Sequence, residues 1–237
     1  MVRNRLVKGE KPVHWVGSSK SDLLGFPADV VSEMGYALGV AQLCGKHPAA
    51  KPWKGEGAGV FELVESYEGN VEWAIYTVHF DRLRLCPPCV PEKIAVGHSH
   101  RPGGSLANGS NGRAGILKAT TNPPQRARQV SIADGMIEGT GNVFADLGLP
   151  DAAGRRTKTG LAMAINAIVK ERRLKQADTA AILGVPQPKV SALANYRLDH
   201  FSVEKLMGFL NALDQDVEIV IRPRREAVGH TLVFKLG

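Results

Sequence analysis

Between Leu174 and Leu193 the apolar positions follow a helical period, break, and resume. Leu174, Ala180, Ile182 and Leu183 share one helical face, Gly184 and Val185 interrupt it, and Val190 and Leu193 take it up again. A glycine just past the last periodic residue supplies a left-handed stop. Pro186 and Pro188 suit a first helical turn, whose N–H groups have no intrahelical partner. The pattern predicts a helix, a tight turn and a second helix. Upstream, Leu161, Ala164, Ile165 and Ile168 predict a scaffold helix capped by Thr157 or Thr159, with Lys170, Arg172 and Arg173 in its last turn. Downstream, Phe201-Ser202-Val203 opens a helix whose buried side is Leu206, Met207, Phe209, Leu210 and Leu213. Val217–Ile221 then reads as a strand. A single strand after helices needs a pairing partner, and the same strand of a second subunit provides it.

The N-terminal part mixes periods. Val13–Val16 has strand composition, Ser18–Asp22 offers caps before Leu23, Leu24 and Phe26, and Pro27 starts a run of Val30, Val31, Met34, Ala37, Leu38, Ala41 and Leu43 that Gly45 ends. Gly59–Tyr67 and Val71–Phe80 alternate apolar and polar residues around a turn at Glu68-Gly69-Asn70, which predicts a hairpin. From Asp81 to Gly135 there is no Phe, Tyr or Trp, and no period persists. That stretch is expected to be a disordered or out-of-frame linker. After it, Val143, Phe144, Leu147 and Leu149 form a short apolar docking segment ended by Pro150, able to cover a partner or to strap onto its own domain. The expected class is α+β. Residues 1–80 form a partial α/β unit, 81–135 the linker, and 136–225 an all-α unit with a terminal dimerisation strand; the role of the tail at 226–237 is unassigned.

The paired helices have the arrangement of a helix-turn-helix, in which the second helix enters the major groove of DNA and its N-terminal residues meet base edges. Gln187, Lys189 and Ser191 lie there. Gln pairs bidentately with adenine, Lys with guanine or a phosphate, and Ser with either. Gln176, opening the first helix, is placed to face a phosphate. The DNA-facing set is read as Gln176, Gln187, Pro188, Lys189, Ser191, Asn195 and Arg197.

Two family resemblances extend these expectations. Leu174, Gln176, Ala180, Gly184, Gln187, Pro188, Val190, Ser191 and Leu193, with Asn195–Asp199, Phe201–Val203 and Asp216–Ile221, resemble the XRE-type antitoxins of the HigA kind over about Met136 to Arg225. The resemblance implies a dimeric repressor that binds its own operator DNA and neutralises a RelE/HigB-type toxin. Tyr196 departs from the family, which often has a turn glycine there, and Asn195 is expected to absorb the left-handed geometry. Pro12–Ser19, Lys51–Gly55 and Ala74–Val78, in the order strand, two helices, meander, are similar to the RelE/HigB-type toxins. That family holds ribosome-bound mRNA on a basic sheet and cleaves it. Trp73 and His79 stand where related toxins carry arginine, so no catalytic residue is assigned; Lys51, Lys54 and His79 are the candidates. The family's Phe-Gln-Lys-Lys-Ser tail is absent, but Val90–His100 can be back-translated so that a one-base shift restores it. The toxin-like half is therefore expected to be truncated or frameshifted, and inactive.

Charge and cysteines add less. The formal net charge is +7, but most of the excess lies within 81–135, so the total says little about DNA binding. Cys86 and Cys89 with His98 and His100 have zinc-compatible chemistry but no framework to hold the ion, so no metal or other cofactor is expected. An odd cysteine count of 3, with neither an export signal nor a membrane-length apolar run, points to the cytoplasm.

Overall fold

The computed structural model describes residues 11–52, 60–67, 70–78, 94–97, 136–221, 223, 231 and 233. The chain runs β1 (Val13–Val16), α1 (Ser19–Leu24), α2 (Ala28–Gln42), β2 (Lys51–Pro52), β3 (Val60–Tyr67) and β4 (Asn70–Val78). It continues through β5 (Ile94–Gly97), β6 (Met136–Glu138), α3 (Val143–Asp146), α4 (Ala152–Glu171), α5 (Gln176–Leu183), α6 (Gln187–Ala194) and α7 (Val203–Ala212). The strands form one sheet in the order β2-β3-β4-β5-β1-β6. β3 and β4 pair antiparallel from Val60↔Thr77 to Tyr67↔Asn70, as the alternating pattern predicts.

Two strands arise where the sequence pattern is silent. β5 pairs parallel with β1 and antiparallel with β4, so the stretch expected to be a linker supplies the strand that joins the hairpin to β1. Ile94-Ala95-Val96-Gly97 is too short to register as a period, and its pairing is set by neighbours far away in sequence. β6 pairs antiparallel with β1, so the first residues of the expected C-terminal unit complete the N-terminal sheet.

α2 is buried on nearly every side, from Val30 to Gln42. A helix apolar all round needs cover all round. It packs on β3 and β4 in one direction and on α3 and α4 in another. Gly35 and Gly39, one helical turn apart, make room for the docking segment: a Cβ on Gly39 would lie 2.8 Å from Cζ of Phe144, and one on Gly35 3.0 Å from Cδ1 of Leu149. Val143, Phe144 and Leu147 are buried there, and the Phe144 ring meets Tyr36 edge-on at 5.3 Å. The segment thus packs on α2, outside the 136–225 unit, as well as on α4 within it. One apolar core runs from Val13 through α2 and Phe144 to Leu213.

Several local expectations are corrected. α4 begins at Ala152, capped by the Asp151 side chain, which accepts from Gly154 N. Thr157 and Thr159 lie inside the helix, their hydroxyls donating to the carbonyls of Ala153 and Arg155. After α2 the left-handed residue is Cys44, at φ 65°, while Gly45 is pressed against Met163 of α4, where a Cβ would stand 2.7 Å from the methyl carbon. Among the described residues Val217–Ile221 belongs to no strand and pairs with none; Ile219, Val220 and Ile221 are 75%, 66% and 91% exposed.

Candidate nucleic-acid interface

Gly184, at φ 62°, closes α5 in the left-handed region, and the N–H of Val185 returns to the carbonyl of Ala180. A non-glycine residue is disfavoured there by roughly 1–2 kcal/mol. The chain then turns into α6 with Pro186 as N-cap and Pro188 in the first turn. Leu183, Val190 and Leu193 are buried and fix the pair of helices on their scaffold. α6 keeps its opposite side open: Gln187, Pro188 and Lys189 are exposed, and Ser191 is half-buried.

Gln176 opens α5 and is exposed beside α6, where its Oε1 accepts from Nε2 of Gln187 at 3.4 Å. The structure therefore joins two residues eleven positions apart into one amide pair. Such a bond orients the Gln187 amide while leaving hydrogen-bonding capacity on both side chains for a base edge or a phosphate. Lys175, exposed at the start of α5, adds a cation that sequence reasoning left out; its place at the helix boundary was the available signal.

Asn195 and Arg197 lie apart from this group, beyond the C-terminal end of α6. The Asn195 amide donates to the carbonyl of Ser191, and its own carbonyl receives Nε2 of His47 at 3.0 Å. Nε of Arg197 lies 3.4 Å from Oε1 of Glu33. The left-handed residue here is Tyr196, at φ 56°, whereas Asn195 has φ −96°. Asn195 is needed as the C-cap, so the strain falls on Tyr196, which is buried with its ring 5.4 Å from that of His47. Burial pushes the Tyr196 phenol up, against a hydrogen bond with Asn166 that lowers it.

The loop after α6 is gripped further on. Arg155 of α4 lies 2.9 Å from Oδ1 of Asp199 and donates to the Ser32 hydroxyl at 2.8 Å. Ser32 and Tyr36 of α2 both donate to Asp199, at 3.2 and 3.4 Å. Burial and then the Asp199 charge drive the Tyr36 phenol well above its ordinary range. Ser32, Glu33, Tyr36, His47 and Arg155 carried no signal of this role in the sequence, and Asp199 entered only within the family resemblance, because only the fold brings α2 against this loop.

Of the nuclease candidates, Lys51 is exposed on β2, and Lys54 and His79 lie outside the described residues. Cys86, Cys89, His98 and His100 also lie outside them; among the described residues no group of three or more His, Cys, Asp or Glu side chains is placed to hold a metal. No helix among the described residues is long and apolar enough to cross a membrane.

Residues 143–222 match the family model of a helix-turn-helix domain. A solved structure provisionally described as an XRE family transcriptional regulator is 58% identical to this chain, the match covering 37% of this chain and 100% of that one with a TM-score of 0.35. No curated protein matches. Residues 143–222, with α5 and α6 as its paired helices, are a helix-turn-helix domain.

Proposed function

We propose that the chain is a sequence-specific DNA-binding transcriptional regulator of the XRE type, an antitoxin-like repressor carrying an inactive toxin-like N-terminal half. The observation that carries this is the exposed amide pair Gln176–Gln187 with Lys189 at the open end of α6. It presents the donors and acceptors that read a major groove, on a helix whose other face is locked into a core. Ile219, Val220 and Ile221 supply a bare apolar edge, which supports a homodimer through Val217–Ile221 whose two α6 helices meet two half-sites of an operator. The order of a strand, two helices and a meander supports the RelE/HigB-like origin of the N-terminal half.

The test is binding of the purified chain to the DNA upstream of its own coding sequence, against a mixed-sequence duplex, across a salt series. The specific duplex is expected to win by a factor of roughly a thousand or more. Replacing Gln187 by Ala should remove about 1–3 kcal/mol of that preference. Equal binding to both duplexes, unmoved by the substitution, overturns the proposal.

A second function gains support from the seating of Phe144 on α2: a ribosome-dependent mRNA endonuclease silenced by its fused antitoxin half. It requires that residues 1–135, expressed alone, arrest growth and that Lys51→Ala relieve the arrest. Harmless expression of that segment, shown by circular dichroism to be folded, excludes it.

A further inference from the structure

The N-terminal half reaches the helix-turn-helix where it would meet a DNA backbone. His47 takes the carbonyl of Asn195, Ser32 and Tyr36 take Asp199, and between these anchors Glu33 pairs with Arg197. The contacts at Asn195 and Asp199 fix the loop. The one at Arg197 differs in kind, because it occupies a cation. Arg197 stands just past the end of the recognition helix with its side chain 66% exposed, where a guanidinium would otherwise serve as a phosphate ligand. Its Nε is turned to a carboxylate instead. A phosphate approaching Arg197 must displace Glu33 or lie beside its negative charge, and either weakens the contact.

We infer that Glu33 restrains DNA binding by holding the Arg197 guanidinium away from the phosphate backbone, so that the N-terminal half sets the affinity of the domain it is docked on. This rests on the duplex binding proposed above. Glu33 acts here as a positioning residue, through Arg197. An exposed ion pair is weak, so the restraint is modest: releasing it should tighten binding about two- to fivefold. Because the gain is a phosphate contact, it is independent of base sequence and carries a salt signature. Each added contact steepens the fall of log K with log salt by about 0.9.

The experiment measures binding of the full chain to a mixed-sequence duplex across a salt series. Glu33→Gln is expected to tighten binding at low salt and steepen the slope by about 0.9, whereas Glu33→Asp keeps the wild-type slope. On an Arg197→Gln background the Glu33→Gln gain should vanish. A Glu33→Gln slope equal to wild type, or a gain that survives loss of Arg197, overturns the restraint while leaving duplex binding intact. Failure of both the wild type and Glu33→Gln to bind any duplex overturns both proposals. Arg197→Gln alone is a second test that needs no change in α2: it leaves the slope unaltered if the arginine is already engaged, and a slope flattened by about 0.9 refutes the inference.

Discussion

Gly39→Ala puts the fit between the two halves to a quantitative test. In an isolated helix the change stabilises, by roughly 0.8–1 kcal/mol, because alanine loses less backbone entropy. Here the new methyl carbon would stand 2.8 and 2.9 Å from two carbons of the Phe144 ring, closer than packed carbons tolerate. Phe144 is only 1% exposed and has Tyr36 against it, so the ring cannot swing into solvent. Overpacking of this kind costs roughly 1–3 kcal/mol, which exceeds the helix gain and leaves Gly39→Ala less stable by about 1 kcal/mol. Phe144→Leu alone should also destabilise, by roughly 1–2 kcal/mol, through lost contacts and a cavity. Together they should interfere less than they add: the smaller side chain makes room for the methyl, the helix gain is recovered, and the double variant is more stable than the sum by about 1 kcal/mol or more. Urea unfolding of the four proteins reads this directly. With a slope of about 2 kcal/mol/M, Gly39→Ala should move the midpoint down by about 0.5 M. A midpoint that rises, with strict additivity to Phe144→Leu, would mean that Phe144 does not sit on α2.

Three further outcomes are expected. Gly184→Ala meets no atom within 4 Å, so its penalty is the left-handed backbone alone, roughly 1–2 kcal/mol by urea unfolding, and a neutral result would refute the turn geometry. Burial lowers the His47 pKa below its ordinary value of about 6.5, outweighing the hydrogen bond to Asn195, so the unfolded chain binds a proton that the folded chain refuses. Stability is then full above pH 6.5 and falls as the pH drops below it, and His47→Gln should flatten that slope in unfolding measured from pH 8 to about pH 5. Ile221→Asp, on a side chain 91% exposed, should leave the chain folded yet convert a dimer to a monomer in sedimentation, with an unfolding midpoint that no longer depends on protein concentration; an unchanged mass would rule out the Val217–Ile221 pairing.

The elements of the helix-turn-helix were legible because their signals are local. Gly184 and the flanking apolar positions set α5 and α6, and α7 opens at the expected Phe201–Val203, where Ser202 is the cap and its hydroxyl accepts from Lys205 N. Gln187 and Gln176 were assigned singly, but their mutual bond depends on how the two helices cross, which no spacing encodes. Gly45 shows the limit differently. A glycine after a helical run reads as a stop, yet this one is spent on close approach to Met163 while Cys44 bears the strained backbone. β5 and β6 escaped notice because each is only 4 or 3 residues long and is stabilised by β1, far off in the chain. Glu33 carried no sequence signal at all, being one acidic residue on a helix, and only its neighbour across the fold gives it a role.

The ladder between β1 and β6 bears on where the molecule can be divided. His14, Trp15 and Val16 face Glu138, Ile137 and Met136, and Trp15 is tied again by its indole N–H to the buried carboxylate of Asp146. A fragment beginning at Met136 would carry a lone strand with nothing to bond, and its complement would show the raw side of β1, each a sticky margin for unrelated chains. Cutting after Glu138 instead leaves β6 on the sheet but strands Asp146 without the indole. There is no clean joint. The natural seam in sequence and the seam in space do not coincide, so the N-terminal part and the helix-turn-helix domain obtained separately will each differ from what they are together.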